Sequence, residues 1–461
     1  MKQTLFLYDA LAKEKREFAP IDDRTVSMYV CGPTVYNYVH IGNARPAVVF
    51  DVLFRVLKRL YPKVVYARNI TDIDDKIIRA AREQGKSTDA IALKFSAAYS
   101  EDMAALNTLP PSLVPLATKN IEAMISLIEQ LVRKGHAYTA DNHVLFSVES
   151  MDDYGALSGR KLDDMLAGAR VEVADYKRHP GDFVLWKPST GDDPGWDSPF
   201  GFGRPGWHLE CSAMIREHLG PKIDIHGGGR DLCFPHHENE IAQSRCAFDS
   251  DSLAAFWLHN GFINLDGEKM SKSLGNVKTV RDLLEQYPGE VLRYALMTAQ
   301  YRSDMDFSKD LLEQSKKSLD SVYSVLASLE HIESSVDEPV PVSSALLNDL
   351  NTCEAISELH ALIKLINREL TDRADTSELK QLKHSLLSHL DLLGLGSSTP
   401  ELWFAHDLGE DEEARINQLV AERVQAKQNK DWQRADEIRE QLAGEGIILE
   451  DKAGETSWKL A

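Results

Sequence analysis

The spacing of apolar positions changes several times along the chain, and each change marks an element. Thr25 to Val30 is a short, β-branched apolar run, the pattern of a strand covered on both faces. Gly32 and Pro33 interrupt it. Val49, Val52, Leu53, Val56, Leu57 and Leu60 then recur at helical spacing. Pro46 suits the first turn of that helix, where its missing N–H has no partner to lose. Lys63 to Tyr66 is a second short strand, and Ser87 to Leu106 is a helix that Pro110-Pro111 ends. This part reads as a strand–helix–strand unit of a parallel sheet. Met28-Tyr-Val-Cys-Gly-Pro-Thr-Val-Tyr-Asn-Tyr-Val-His-Ile-Gly-Asn43 therefore delivers Cys31 and His40 to the carboxyl edge of a strand, where open α/β sheets bind ligands.

Ser112 to Arg204 has a different texture and reads as an insertion. A helix over Asn120 to Lys134 leads into short strands, and a polar, Gly/Pro-rich stretch from Pro188 to Gly206 closes it. From Trp207 the α/β pattern returns, with a strand at Ile223 to Ile225, a tight turn at Gly227-Gly-Gly229 and a helix from His236. From Lys309 the chain is helical, with apolar stripes over Leu311–Leu329, Leu346–Arg373 and Glu378–Leu392 and a surface linker over His331–Ser344. The tail from Glu410 predicts a helix or helix pair, with Ile416, Leu419, Val420, Val424, Trp432, Ala435, Ile438 and Leu442 on its apolar side. A hairpin over Ile447–Glu450 and Thr456–Lys459 follows. The expected fold class is α/β. A split Rossmann-like parallel-sheet catalytic domain with an insertion precedes a helical bundle and a small C-terminal α+β tail. The expected boundaries are 1–111 and 206–262 for the two catalytic halves and 112–205 for the connective insertion. A signature-loop region follows at 263–315, the bundle at 316–405 and the tail at 406–461.

Composition adds constraints. At 461 residues, 43% hydrophobic and 27% charged, the chain is an ordinary globular protein of about two to four domains. Its apolar runs are too short to span a bilayer, and Met1 to Asp9 lacks the features of an export signal. Five scattered cysteines, Cys31, Cys211, Cys233, Cys246 and Cys353, do not look like a disulfide framework and suggest a reducing cytoplasm. A net charge of −20 argues against a basic coat, yet a local basic patch still serves an RNA ligand.

Three stretches carry candidate chemistry. In Pro235-His-His-Glu-Asn-Glu240, His236 and Glu240 are four apart and share a helix face. With Cys31 and Cys211 they make one possible zinc set; Cys233, His237 and His208 compete for places in it. Asp266-Gly-Glu-Lys-Met-Ser-Lys-Ser-Leu-Gly-Asn276 interleaves Lys269 and Lys272 with hydroxyls between glycines, as suits a segment that neutralises phosphates. Asn69-Ile-Thr-Asp-Ile-Asp-Asp-Lys76 places acids where a strand–helix loop would face a ligand.

Together these stretches carry a resemblance. His40-Ile-Gly-Asn43 and Lys269-Met-Ser-Lys-Ser273 resemble the two signature motifs of class I aminoacyl-tRNA synthetases. Met28–Tyr36, Asn69–Lys76, Gly206–Met214, Asp224–Gly229 and Phe234–Gln243 resemble cysteinyl-tRNA synthetase in particular, in order through the catalytic half. The resemblance implies that ATP, with Mg2+, and L-cysteine form cysteinyl adenylate, and that the cysteinyl group passes to the 3′ end of tRNA(Cys). It assigns ATP contacts to His40, Gly42, Asn43, His226, Gly227, Gly228, Asp231 and Lys272. It assigns pyrophosphate stabilisation to Lys269 and Lys272, and the amino-acid pocket to Thr34 and Trp207. One Zn2+ per chain would sit on Cys31, Cys211, His236 and Glu240. Zinc suits the task, because an apolar pocket separates cysteine from serine poorly whereas a soft metal favours sulfur. The first signature departs from the family at Asn43, where His is usual; Asn donates a hydrogen bond but carries no charge. The tail would read the tRNA through Trp432, Lys430 and Arg434, with Lys427 and Arg439 nearby; against this, Trp432 is equally suited to the core of a small helical tail. The expected protein is a cytoplasmic monomer with no membrane or DNA partner. Its alternatives are a paralogue that joins cysteine to an amino sugar, or a non-catalytic tRNA- or amino-acid-binding relative.

Overall fold

A computed structural model describes residues 3–160, 174–248, 252–265, 268–269, 278–333, 340–372, 375–405, 410–444, 447–452 and 455–460. The chain divides into two units, one of residues 1–312, 340–358 and 391–394 and one of the remainder.

The first unit begins with a hairpin that the apolar pattern does not announce. Strands β1 (Phe6–Asp9) and β2 (Glu14–Glu17) pair antiparallel. The central sheet follows. Strand β3 (Thr25–Val30) leads through an irregular turn into α1 (Ile41–Leu60), then β4 (Lys63–Arg68), α2 (Asp75–Gln84) and α3 (Thr88–Ala105). Helix α1 starts five residues before Pro46, which therefore lies inside the helix rather than in its first turn and cannot donate to the Gly42 carbonyl. The apolar positions Val49, Val52, Leu53, Val56 and Leu57 are all buried as their spacing predicts.

The insertion supplies α4 (Ile121–Arg133) and an antiparallel sheet of β5 (Ala137–Ala140), β6 (His143–Phe146), β7 (Phe183–Pro188) and β8 (Gly203–Pro205). The polar, Gly/Pro-rich stretch that closes the insertion ends in a paired strand, with Trp186 opposite Pro205. The insertion is not a separate lobe. Met124, Ile128, Leu131, Val144, Phe146 and Trp186 share one apolar core with Leu209, Ile241 and Trp257 of the returning α/β half.

That half contributes α5 (Trp207–His218), β9 (Ile223–Gly229), α6 (Glu238–Phe248) and β10 (Ala254–Asn260). Strand order is β10-β9-β3-β4, all parallel, so the sheet is doubly wound and its carboxyl ends gather on one edge. Gly227, Gly228 and Gly229 are not the tight turn expected of them but the last residues of β9. A Cβ at Gly227 would meet the Phe50 ring at 2.3 Å, and one at Gly228 would meet the His237 ring at 2.9 Å. Close packing, not a turn, requires glycine there. Short strands β11 (Ile263–Leu265), β12 (Glu268–Lys269) and β13 (Met305–Asp306) form a further small sheet.

The helix expected over Leu346–Arg373 is broken. Ser344–Leu347 is one short helix and Thr352–Thr371 another, with Asp349 and Leu350 at φ 57° and 49° between them. Asp349 is held in that turn by distant partners, accepting from Tyr8 N and Tyr301 OH at 2.9 Å and pairing with Arg302 at 2.8 Å.

In the second unit the stripes at Leu311–Leu329 and Glu378–Leu392 are helices. Trp403 stacks on Tyr323 at 4.3 Å and donates to Asp320 at 2.8 Å. The tail is a helix pair, Glu410–Gln428 and Trp432–Gly444, followed by an antiparallel hairpin. Its core is Ile416, Val420, Ile438, Leu442 and Ile447. Trp432 does not belong to the apolar side where its spacing puts it; it is 60% exposed. Among the described residues no helix is long and apolar enough to cross a membrane.

Candidate active site and metal centre

The parallel sheet brings distant parts of the chain together at one edge. Cys31 extends β3 by one residue, its N–H donating to the Gly227 carbonyl at 3.1 Å. Gly32 follows because a Cβ there would lie 1.7 Å from the Asn69 carbonyl oxygen. The Asn69 side chain accepts from Gly32 N at 2.8 Å and fixes the turn. Cys211 projects from α5, whose start is set where Gly206 packs against the Val184 carbonyl. His236 and Glu240 come from the turn before α6 and its first turn.

These four side chains converge. Cys31 Sγ lies 3.6 Å from Cys211 Sγ and 3.4 Å from Glu240 Oε1, and His236 Nε2 lies 3.1 Å from the same Oε1. Cys211, His236 and Glu240 are buried and Cys31 half-buried. A tetrahedral zinc shell with sulfur at ~2.3 Å needs sulfur atoms about 3.8 Å apart, close to the spacing here. Burial pushes both thiols up, and the neighbouring thiol and carboxylate lift Cys31 further. Burial also drives the His236 ring down to about 3, so it is neutral, the form that binds a metal. Two soft donors, a neutral imidazole and a carboxylate with no cation among them are a poor solution for a buried cluster and a good one for zinc.

A second grouping, Cys31, His226, His237 and Glu240, is equally compact. Its His226 Nε2 is already hydrogen-bonded to Glu240 Oε2 at 2.8 Å, so we read His226 as a support of the first set. His208 plays the same part, with its Nδ1 3.0 Å from His236 Nδ1. Gln243 anchors His208 through its carbonyl at 2.7 Å and reaches Ser212 at 3.1 Å. Of the sequence's competitors for the metal, His208 thus lies behind His236, whereas His237 belongs to the second grouping, with its Nδ1 2.8 Å from His259 Nε2. Cys233 is half-buried and belongs to neither grouping.

The other expected residues take varied places. His40 caps α1 in extended conformation and Asn43 is exposed in the first turn, which carries no acidic residue. Gly42 lies between them, half-buried. Thr34 is bridged to Thr71 beside the turn. Trp207 stacks on His236 at 4.2 Å and is 39% exposed, forming a wall open to solvent. His226 is fully buried, stacked on Trp257 at 4.5 Å. Asp231 follows β9 and would crowd any side chain at Gly229. Lys269 pairs through its backbone with Asn264, while Lys272 lies outside the described residues. Lys430 lies two residues past the first tail helix at φ 62°, and Arg434 is engaged by Glu422 at 2.9 Å and Glu437 at 3.4 Å.

The acids at Asp72, Asp74 and Asp75 are engaged within the protein. Asp72 accepts from Thr118, Asp74 caps α2, and Asp75 pairs with Lys187 and Arg204. The motif contributes instead through Asn69 and Thr71, the latter donating to buried Glu210 at 2.6 Å.

Comparison with known proteins agrees with this arrangement. Residues 17–317 match the class I (C) tRNA synthetase catalytic domain, 341–397 a DALR domain, and 410–458 the cysteinyl-tRNA ligase anticodon-binding domain. A cysteine–tRNA ligase of Saccharophagus degradans is 58% identical over 464 residues, covering 99% of both chains. The chain belongs to the cysteine–tRNA ligase family. Another member, from Xanthomonas campestris pv. campestris, is 54% identical over 461 residues and the whole of both chains. Among solved structures, the Mycobacterium tuberculosis methionyl-tRNA synthetase with methionyl-adenylate superposes with a TM-score of 0.56 at 14% identity, covering 86% of this chain and 94% of that one. A leucyl-tRNA synthetase ternary complex from Agrobacterium radiobacter K84 gives 0.58 at 12% identity, covering 85% and 86%. These distant likenesses concern the fold, and they place this ligase on the class I architecture read above from its strand order.

Proposed function

We propose that this chain joins L-cysteine to tRNA(Cys) at the expense of ATP, and that it selects cysteine through zinc held by Cys31, Cys211, His236 and Glu240. The observation that carries the reading is the convergence of these four donors, drawn from three parts of the chain, at the carboxyl edge of a nucleotide-binding sheet. Zinc in such a shell favours a thiolate and leaves a serine hydroxyl a weak ligand. His226 and His208 hold Glu240 and His236 in place from behind. Trp207 and Thr34 border the amino-acid pocket.

ATP lies along the same edge. The N-terminus of α1, with His40, Gly42 and Asn43 and no acid in its first turn, receives phosphate. Gly227 and Gly228 keep the end of β9 free of side chains, and Asp231 lies just beyond it. A cysteine carboxylate oxygen attacks the α-phosphorus, the bond to the bridging oxygen breaks, and pyrophosphate leaves with Mg2+. Lys269 and Lys272 neutralise its charge. The tRNA 3′-terminal hydroxyl then attacks the cysteinyl carbonyl and AMP departs. Trp432, exposed beside Lys430 and Arg434, offers a stacking surface to unpaired anticodon bases. With it we propose that the protein works as a monomer in the cytoplasm.

The deciding experiment measures ATP–pyrophosphate exchange with cysteine and with serine, and then transfer to tRNA(Cys), on protein assayed for zinc. Cysteine-dependent exchange, transfer to tRNA and one zinc per chain are expected. Exchange without transfer would defeat the ligase reading. Cysteine-over-serine selectivity that persists in His236→Ala protein stripped of zinc would defeat the metal reading.

A further inference from the structure

Arg45 lies two residues beyond Asn43 on α1 and is fully buried. Its Nη1 donates to the Phe262 carbonyl at 2.8 Å and its Nη2 to the Gln300 carbonyl at 3.4 Å. Its Nε is buried and has no hydrogen-bond partner. Among the described residues no carboxylate stands within ion-pair distance of it. Burial pulls its pKa down only to about 10, so it is charged at neutral pH. A buried guanidinium held by carbonyls alone is a costly way to fill a core position, and an unbranched apolar side chain would fill it more cheaply.

What Arg45 holds gives the reason. Phe262 immediately precedes β11, and β11 carries β12 through the pairing of Asn264 with Lys269. The Phe262 peptide is gripped on both sides, since its N–H donates to Asp304 Oδ1 at 2.8 Å and its carbonyl also accepts from Met305 N at 3.0 Å. Gly261 lets this happen, as a Cβ there would lie 2.3 Å from the Ser303 carbonyl. On the far side of the second signature, Ile41 N donates to the Lys278 carbonyl at 3.1 Å and Val280 N to the Val39 carbonyl at 3.0 Å. The chain is thus fastened, before and after the second signature, to one short stretch, Val39 to Arg45, that carries His40.

We infer that Arg45 is a positioning residue that sets β11 and β12, and with them Lys269, at a fixed place relative to the His40 turn. The inference rests on the reading of Lys269 as a group that stabilises pyrophosphate. Arg45 touches no substrate; its effect is on where the phosphate-binding groups stand during adenylate formation.

The test uses the full-length protein with zinc. In Arg45→Met, kcat for cysteine-dependent pyrophosphate exchange should fall roughly 10- to 100-fold, as for a small misplacement of reacting groups. The KM for cysteine and the zinc content should stay at wild-type values, and the urea midpoint should not fall. Arg45→Lys, which can still reach one carbonyl, should recover part of the rate. Lys269→Ala should cost much less in the Arg45→Met background than in wild type, because the group removed is already out of place. Wild-type kcat in Arg45→Met would overturn the inference. So would full additivity with Lys269→Ala, or a loss of rate that tracks a loss of zinc or of stability. If Lys269→Ala alone leaves exchange unchanged, the reading of that lysine fails, whatever Arg45 does.

Discussion

Replacing Gly227 by alanine tests the packing that shapes the site. A Cβ at that position would stand 2.3 Å from Cε1 and Cζ of the Phe50 ring. Ordinary carbon contacts begin near ~3.5 Å, so ring or strand must give by about 1.2 Å. Phe50 is fully buried within α1 and Gly227 is buried in β9, so neither moves freely. Overpacking of this kind costs about 1–3 kcal/mol. If the strand yields, the Gly227 carbonyl moves away from Cys31 N, from which it accepts at 3.1 Å, and displaces Cys31, one of the four proposed zinc donors. Gly227→Ala should therefore lower the urea midpoint and speed the release of zinc to a chelator. Shortening the ring by Phe50→Leu should rescue both, with the double variant more stable than the sum of the singles by about 1 kcal/mol. Strict additivity, or wild-type zinc retention and midpoint in the single variant, would refute the argument that glycine is needed there for close approach.

Other substitutions probe separate features. Arg293 is fully buried and joins Asp51 at 2.5 Å while donating to the Leu393, Leu106 and Asn107 carbonyls; Arg55 still pairs with Asp51 at 2.8 Å when Arg293 is removed, so Arg293→Met should cost about 1–3 kcal/mol in denaturant unfolding. A change below 1 kcal/mol would show that the knot is dispensable. Cys211→Ala should release zinc and bring cysteine and serine activation closer together; zinc retained at full occupancy would speak against Cys211 as a ligand. Burial lifts the Asp102 carboxyl to about 6 despite Arg281 beside it. Its raised pKa favours the folded state most below the ordinary value near ~4, and that contribution disappears as pH rises through about 6. Asp102→Asn should flatten the stability–pH curve across this window, and an unchanged slope would contradict the assignment.

Much of the catalytic half is legible in the sequence because its signals are local. Thr25–Val30, Gly32 and the stripe from Val49 to Leu57 announce a strand, a break and a helix without knowledge of anything else. The residue types offer Cys31, Cys211, His236 and Glu240 as one possible zinc set, but only the family resemblance prefers them to Cys233, His237 and His208, since nothing in the spacing of Cys31 and Cys211 brings them together. That is the work of the β3–β9 pairing and of the α5–α6 packing. The supporting residues are harder still. His208 and His226 resemble any other histidine until their bonds to His236 and Glu240 are seen. Strand β2, Glu-Lys-Arg-Glu, is largely exposed and shows no apolar alternation, so its hairpin has no signature. The break at Asp349 is invisible for a related reason: Tyr8 and Tyr301, which hold it, are far away in sequence. Trp432 shows that helical spacing names a face but not which of its residues are covered.

The order β10-β9-β3-β4 has a bearing on how the protein is made. Strand β3 is central, but its second neighbour, β9, is encoded almost two hundred residues later, at Ile223–Gly229. As the polypeptide emerges from the ribosome, β3 and β4 must wait with one bare edge while the whole insertion is synthesised. The apolar residues of that insertion, sharing a core with Leu209 and Trp257, have nothing complete to settle against during the same interval. The nascent enzyme thus passes through a long period of exposed strand edge and unsatisfied apolar surface, the state in which chains aggregate or engage chaperones.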